Sequence, residues 1–173
     1  GWSDLEEEDW CVNGAGSPTI TMHHEESPLN DYSVGSALVM PTGFDVPTLE
    51  GFEPAAWIAA PVIKRLHGVR VPFIEKFPSR GRDTVFIYGG KWMAEPCWPD
   101  SLKESKTYGQ SSNQQMFTLA RDTDLSVDDY VFLRPTQSEA VLLQFGDLCV
   151  TRGGERVGNW TVLRNDGYPA VAN

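Results

Sequence analysis

The 173-residue sequence is poor in cysteine, in positive charge, in long apolar runs and in sustained helical periodicity. Its three cysteines, Cys11, Cys97 and Cys149, stand far apart with no C-x-x-C spacing. That speaks against a disulfide framework and fits free, mostly buried thiols in a reducing, cytoplasmic setting. Cys149, in the middle of a strand-like run, reads as a small buried hydrophobe. Lysine and arginine number 14 against 24 aspartates and glutamates, a formal net charge of −10. A basic surface is what nucleic acid and anionic membrane both demand, so neither is expected as a partner. No apolar stretch is long enough to span a bilayer, and no signal-peptide pattern is found.

Glycine and proline, by contrast, are abundant: 16 and 12 residues punctuate the chain. Between them recur short β-branched and aromatic runs, among them "AAPVIKRL", "VRVPFIEKF", "DTVFIYGG", "QMFTLA", "DYVFLRP", "AVLLQFGDLCVTR" and "RVGNWTVL". Each is bounded by Gly, Pro, Asn or Asp, which is the signature of strands. Gly153-Gly154 between two such runs supplies the positive-φ turn of a hairpin. From residue 56 to 173 the pattern predicts an antiparallel β-domain, with Trp92, Trp98 and Trp160 as core and hairpin packing. Apolar content of 40% is enough for a real core.

Residues 1–55 read differently. "WCVNGAGSPTIT" is a short apolar run that breaks into Gly14-Ala15-Gly16-Ser17-Pro18-Thr19, and "YSVGSALVM", also read as a strand, carries Gly35-Ser36. Glycine-rich turns let backbone N–H groups converge on an anion, with hydroxyls adding donors. Two such turns close together would suit one phosphate; each alone is equally a plain turn. "MHHEE" at Met22–Glu26 is read as a solvated loop, because adjacent histidines on extended chain face opposite ways.

In "PTQSEAVLLQFGDLCV" an extended chain would place Gln137, Glu139, Val141, Leu143 and Phe145 on one face. A carboxylate in line with core residues is either satisfied by a buried partner or holding something.

Taken in order, these segments resemble the C-terminal part of the D-threonine aldolase and D-serine dehydratase-like family. Those enzymes use pyridoxal 5′-phosphate (PLP) on an alanine-racemase type of fold. Gly14 to Thr19 matches the family's small-residue turn, and Gly35-Ser36 its second turn. "FIYGGKWMAEP" stands at a Gly-Ser-Lys motif and "SSNQQMFTL" at a Ser-Glu-Glu-His-Gly stretch. Pro135-Thr136-Gln137-Ser138-Glu139 stands at Pro-x-His-x-Cys/Asp.

The resemblance implies a mainly β fold, in which residues 1–55 are the last strands and phosphate-binding edge of a PLP-binding (β/α)8 barrel. Gly16, Ser17, Thr19, Gly35 and Ser36 would bind the cofactor phosphate. Gln137 and Glu139 would stand at the two metal-ligand positions and act in catalysis. With hard oxygen donors there, Mn²⁺, Mg²⁺ or Ca²⁺ suits better than Zn²⁺; the alternative is a hydrogen-bonding pair for a substrate hydroxyl or amine. The family's Schiff-base lysine lies N-terminal to anything present here, and Lys64, Lys76, Lys91, Lys103 and Lys106 do not sit in its context. The expected function is therefore that of the C-terminal portion of a lyase acting on D-β-hydroxy amino acids, by aldol cleavage or dehydration. Its partners would be a D-amino acid, the missing barrel portion and a second copy in a homodimer. The competing readings are a non-catalytic β-domain for dimerisation or regulation, or part of an amino-acid racemase.

Overall fold

The computed structural model describes residues 10–68, 82–105 and 108–162. The run "VRVPFIEKF" falls outside them.

Six strands form one antiparallel sheet: β3 (Ile58–His67), β4 (Arg82–Ile87), β5 (Ala94–Trp98), β6 (Lys103–Glu104), β7 (Met116–Ala120) and β8 (Tyr130–Pro135). Their order is β5-β8-β3-β4-β7-β6. Consecutive strands β5 and β6 thus lie at opposite edges. Laid flat, six strands would set those edges about 24 Å apart. The step from Trp98 to Lys103 can reach at most about 18 Å. The sheet must therefore curl, and its concave face holds the core.

Period-two alternation puts Ile58, Ala60 and Val62 of β3 inside, with Val85 and Ile87 of β4 and Val131 and Leu133 of β8. Phe117 and Leu119 of β7 join them. Each such apolar side chain contributes roughly 1.5–3 kcal/mol by leaving water. The mainly β, antiparallel architecture expected is the one observed.

After β8 the structure departs from the extended reading. Pro135 ends the strand, and Glu139–Leu142 is a short helix, α1. Gln137 and Glu139 therefore do not share a strand face with Val141, Leu143 and Phe145. The spacing is helical instead: Ser138 and Val141 are buried, and Phe145 packs on Trp92 with ring centroids 5.4 Å apart. Leu143 is exposed.

Strands β9 (Leu148–Arg152) and β10 (Glu155–Trp160) form the expected hairpin, with Gly153 and Gly154 at φ 58° and 85°. Among the described residues the hairpin pairs only with itself, and its side chains stay largely in water. Trp160 and Cys149 are exposed rather than packed, and so are Trp98, Cys11 and Cys97. Trp98 lies on the outer sheet face, edge-on to Phe132. All three thiols are free, but the expectation that they are mostly buried does not hold.

Residues 10–55 carry two two-residue strands paired in parallel, β1 (Asn13–Gly14) and β2 (Asp31–Tyr32). Four 3₁₀ turns follow the same stretch, including Ser17–Met22 and Ser36–Leu38. Beyond Tyr32, which ends β2, "SVGSALVM" is therefore a turn and not a strand. Ser36, Ala37 and Met40 face inward at three- and four-residue spacing, and Met40 N–H donates to the Ser36 carbonyl at 2.8 Å. Ala37, Met40 and Leu49 make a second, smaller core.

Candidate functional site

Two segments 18 residues apart in sequence meet at one hydroxyl. The N–H groups of Gly35 and Ala37 donate to Ser17 Oγ at 3.3 and 3.0 Å. A serine hydroxyl has two acceptor lone pairs and one proton. Both acceptors are used here, so Ser17 can offer only its proton. No acceptor for that proton is found among the described residues. A Cβ built on Gly16 or on Gly35 would meet nothing within 4 Å, so open space lies over both turns. The chain bends sharply to create this opening, with Ala15 at φ 66° and Gly16 at φ 141°. Thr19 is exposed and turns its hydroxyl back to the Gly16 carbonyl at 3.3 Å, which helps shape the turn.

The second expected site touches the first. Ser36 Oγ lies 2.8 Å from Ser138 Oγ and makes a long 3.5 Å contact with Glu139 Oε1. An ionised carboxylate only accepts, so Ser36 donates to Glu139 and Ser138 must donate to Ser36. The structure thus joins Ser17 to the Gly35 turn, and through Ser36 joins that turn to Ser138 and Glu139. Gln137 is exposed beside them.

Further bonds lock the N-terminal segment onto the end of β8. Arg134 donates to the Met40 carbonyl at 2.8 Å and pairs with Asp45, and Gly43 N–H donates to the Thr136 carbonyl.

As a metal centre the site is thin. Among the described residues no three His, Cys, Asp or Glu side chains are grouped to hold an ion. Gln137 and Glu139 are two oxygen donors without a third, and Glu139 already receives Ser36. This donor set does not fit a divalent ion. "MHHEE" is mostly loop, in which His23 bonds Ser27 Oγ at 3.0 Å and its ring packs at a 60° tilt against Tyr32.

A carboxylate in line with core residues does exist, at Asp83 rather than Glu139. Its side chain is 0% exposed. Arg65 Nη2 donates to it at 2.8 Å, His67 Nδ1 at 2.8 Å and Arg121 Nε at 3.3 Å. Arg65 also donates to the carbonyls of Thr123, Leu125 and Arg121. Burial alone would raise the Asp83 carboxyl, but the hydrogen bonds from Arg65, His67 and Arg121 outweigh it and hold the group below its ordinary value of 3.8. The signal was the alternation Asp83, Val85, Ile87 in "RDTVFI".

A third feature, missed from sequence, is an open groove of about 640 Å³ beside Thr136, lined by Lys91, Trp92, Met93, Glu95 and Glu104.

No protein-family model matches the sequence, and neither does any curated protein. Among solved structures, the chain is similar to D-threonine aldolase from Filomicrobium marinum. The two share 16% identity with a TM-score of 0.60, over 87% of this chain and 40% of that one. The chain thus spans well under half the length of its structural neighbour. At this identity the likeness is one of fold: an antiparallel β-domain of the type found at the C-terminal end of a D-threonine aldolase-type fold.

Proposed function

We propose that the chain is the C-terminal portion of a PLP-dependent lyase acting on D-β-hydroxy amino acids. The observation that carries this reading is the Ser17 hydroxyl. With both lone pairs occupied by Gly35 and Ala37 N–H groups, it keeps a proton to donate, and open space lies over the neighbouring Gly16 and Gly35. A phosphate oxygen is a natural acceptor for it. Support comes from the fold shared with D-threonine aldolase and from the ordered motifs described above.

In this reading the Ser17 hydroxyl and the backbone of Gly16 and Ser36 hold the cofactor phosphate, Gly35 spends its N–H on orienting Ser17, and Thr19 fixes the turn. PLP supplies the electron sink when bound. Glu139, oriented by Ser36 and Ser138, accepts a hydrogen bond from the substrate's hydroxyl or amine, with Gln137 beside it. The Schiff-base lysine belongs to the remaining barrel, so cleavage requires that portion.

Titrating the isotope-labelled chain with PLP tests the phosphate site. PLP is expected to shift the amide resonances of Gly16, Ser17 and Ser36, whereas pyridoxal, lacking the phosphate, leaves them in place. Equal responses to the two compounds would remove the basis of the reading.

A further inference from the structure

The buried carboxylate of Asp83 gathers more positive charge than its own neutralisation needs. Arg65 alone balances it, donating Nε and Nη2 to Asp83 Oδ2 at 3.1 and 2.8 Å. The remaining N–H groups of Arg65 go to the carbonyls of Thr123, Leu125 and Arg121, so all five of its donors are spent. Arg121 and His67 are different. Each gives a single N–H to the same carboxylate, Arg121 Nε at 3.3 Å and His67 Nδ1 at 2.8 Å, and both side chains are otherwise exposed. Among the described residues, Nη1 and Nη2 of Arg121 and Nε2 of His67 have no further partner.

Hydrogen bonds fix where these groups lie. Arg121 is tied at both ends, its carbonyl by Arg65 Nη2 at 2.8 Å and its Nε by Asp83. Its Nη2 lies 3.6 Å from where a Cβ of Gly68 would stand, and Gly68 directly follows His67. The free end of the guanidinium and the imidazole therefore sit side by side, anchored on one carboxylate. Asp83 against Arg65 and Arg121 leaves one positive charge even with His67 neutral, in a chain whose formal net charge is −10. Asp122 and Asp124, the acids next in sequence, form no ion pair with Arg121 among the described residues.

We infer that Arg121 and His67 form an anion-binding site whose ligand is a phosphate group, with Asp83 as its positioning residue. An arginine whose Nε is taken still offers Nη1 and Nη2 to two oxygens of one anion. A phosphate has a third oxygen for His67 Nε2, which donates to it when protonated and accepts the O–H of a hydrogen phosphate when neutral. A carboxylate has only two oxygens and leaves the histidine without a partner. The site is separate from the glycine turns. Strand β3 begins at Ile58, paired with Leu133 at the end of β8 that leads to Ser138, and reaches His67 about 30 Å further on. The inference goes beyond the PLP reading and does not rest on it.

Titrating the isotope-labelled chain with inorganic phosphate at constant ionic strength tests the site. Saturable amide shifts are expected at His67, Gly68 and Arg121 at millimolar phosphate, with none from chloride and binding of acetate about tenfold weaker. Methyl phosphate separates the two sources of the group: binding as tight as inorganic phosphate marks a phosphomonoester site, and weaker binding a site for free phosphate. Arg121→Gln should weaken phosphate binding about tenfold and His67→Gln several-fold. Both positions are exposed, so the melting temperature should stay within a few degrees. The response of Gly16, Ser17 and Ser36 to PLP should be unchanged in both variants. Absence of saturable shifts at His67, Gly68 and Arg121, an equal response to acetate, or unchanged binding in Arg121→Gln overturns the inference. Shifts confined to Gly16, Ser17 and Ser36 overturn it while leaving the PLP reading intact; shifts confined to His67, Gly68 and Arg121 uphold it and count against that reading.

Discussion

The Ser36 hydroxyl lies 2.8 Å from that of Ser138, a residue 102 positions further along the chain. Both residues are buried, and each comes from a different part of the fold: Ser36 from the turn after β2, Ser138 from the bend after β8. Their bond couples the glycine turns to the antiparallel domain. Ser138 precedes α1 yet makes no side-chain cap to it: its backbone is helical, at φ −77° and ψ −54°, not in the extended region an N-cap adopts, and its hydroxyl proton is committed to Ser36.

That commitment is measurable. Ser36→Ala and Ser138→Ala should each destabilise the chain by about 1 kcal/mol. The double variant should cost less than the sum of the two, by about 0.5 kcal/mol or more. Denaturant unfolding of the four proteins in the cycle reads this directly. Strict additivity would mean that the two hydroxyls do not interact.

Ser17→Ala should cost more than either. It strips the acceptor from two backbone N–H groups at once, those of Gly35 and Ala37. Leaving both unpaired in a buried residue's place costs about 2 kcal/mol or more. Ser17→Cys, which retains a weak acceptor, should fall between serine and alanine. If alanine proves neutral, water must replace the hydroxyl, and the cradle is more open than the geometry shows.

The strands of the β-domain were legible because each has one buried face. Alternation in "AAPVIKRL" and "DYVFLRP" reports β3 and β8 directly, and Gly153-Gly154 reports the hairpin. Elements without that alternation were misread. "EAVLLQF" reads as extended on its Val141, Leu143, Phe145 alternation, yet Ser138, Val141 and Phe145 also fall at helical spacing, and α1 follows that pattern. "VGSALVM" is apolar throughout, and a short apolar run cannot by itself distinguish a strand from a buried turn. The meeting of Ser17 with Gly35 was legible only through motif order. That of Ser36 with Ser138 was not, since nothing local encodes a contact across 102 positions. Asp83 could have been found by the reasoning applied to Glu139, but Arg65 and Arg121 reach it from different segments.

Two glycines offer a contrast that separates backbone freedom from space. Gly109 has φ 63°, and a Cβ there meets nothing within 4 Å. Gly109→Ala should cost only the left-handed strain, about 1 kcal/mol. Gly90 has φ 137°, and its Cβ would come 2.3 Å from the Ser111 carbonyl and 2.5 Å from Gln115 Cβ. Gly90→Ala should therefore cost about 3 kcal/mol or prevent folding. Comparable melting temperatures for the two variants would show that the segment around Ser111 yields easily.

Asp83 predicts how the fold responds to acid. Its carboxyl is held below 3.8 in the folded chain, while in the unfolded chain it titrates near that ordinary value. Between the two values the unfolded chain binds more protons, so stability rises with pH there. The contribution is fully present above about pH 3.8 and is lost as pH falls through the lowered folded value. Arg65, whose side chain is 15% exposed, should carry more of it than Arg121 at 54% or His67 at 72%. Solvent screens the two exposed partners and weakens their pull. Asp83→Asn removes the charge at every pH. It should lower the denaturation midpoint at pH 7 and flatten the fall in stability as pH drops below about 3.8. Arg121→Ala should leave most of that fall in place, whereas Arg65→Ala should remove much of it. A wild-type and an Asp83→Asn chain losing stability in parallel below pH 4 would mean that the acid response resides in other carboxylates, and that the buried pairing at Asp83 is matched in the unfolded state.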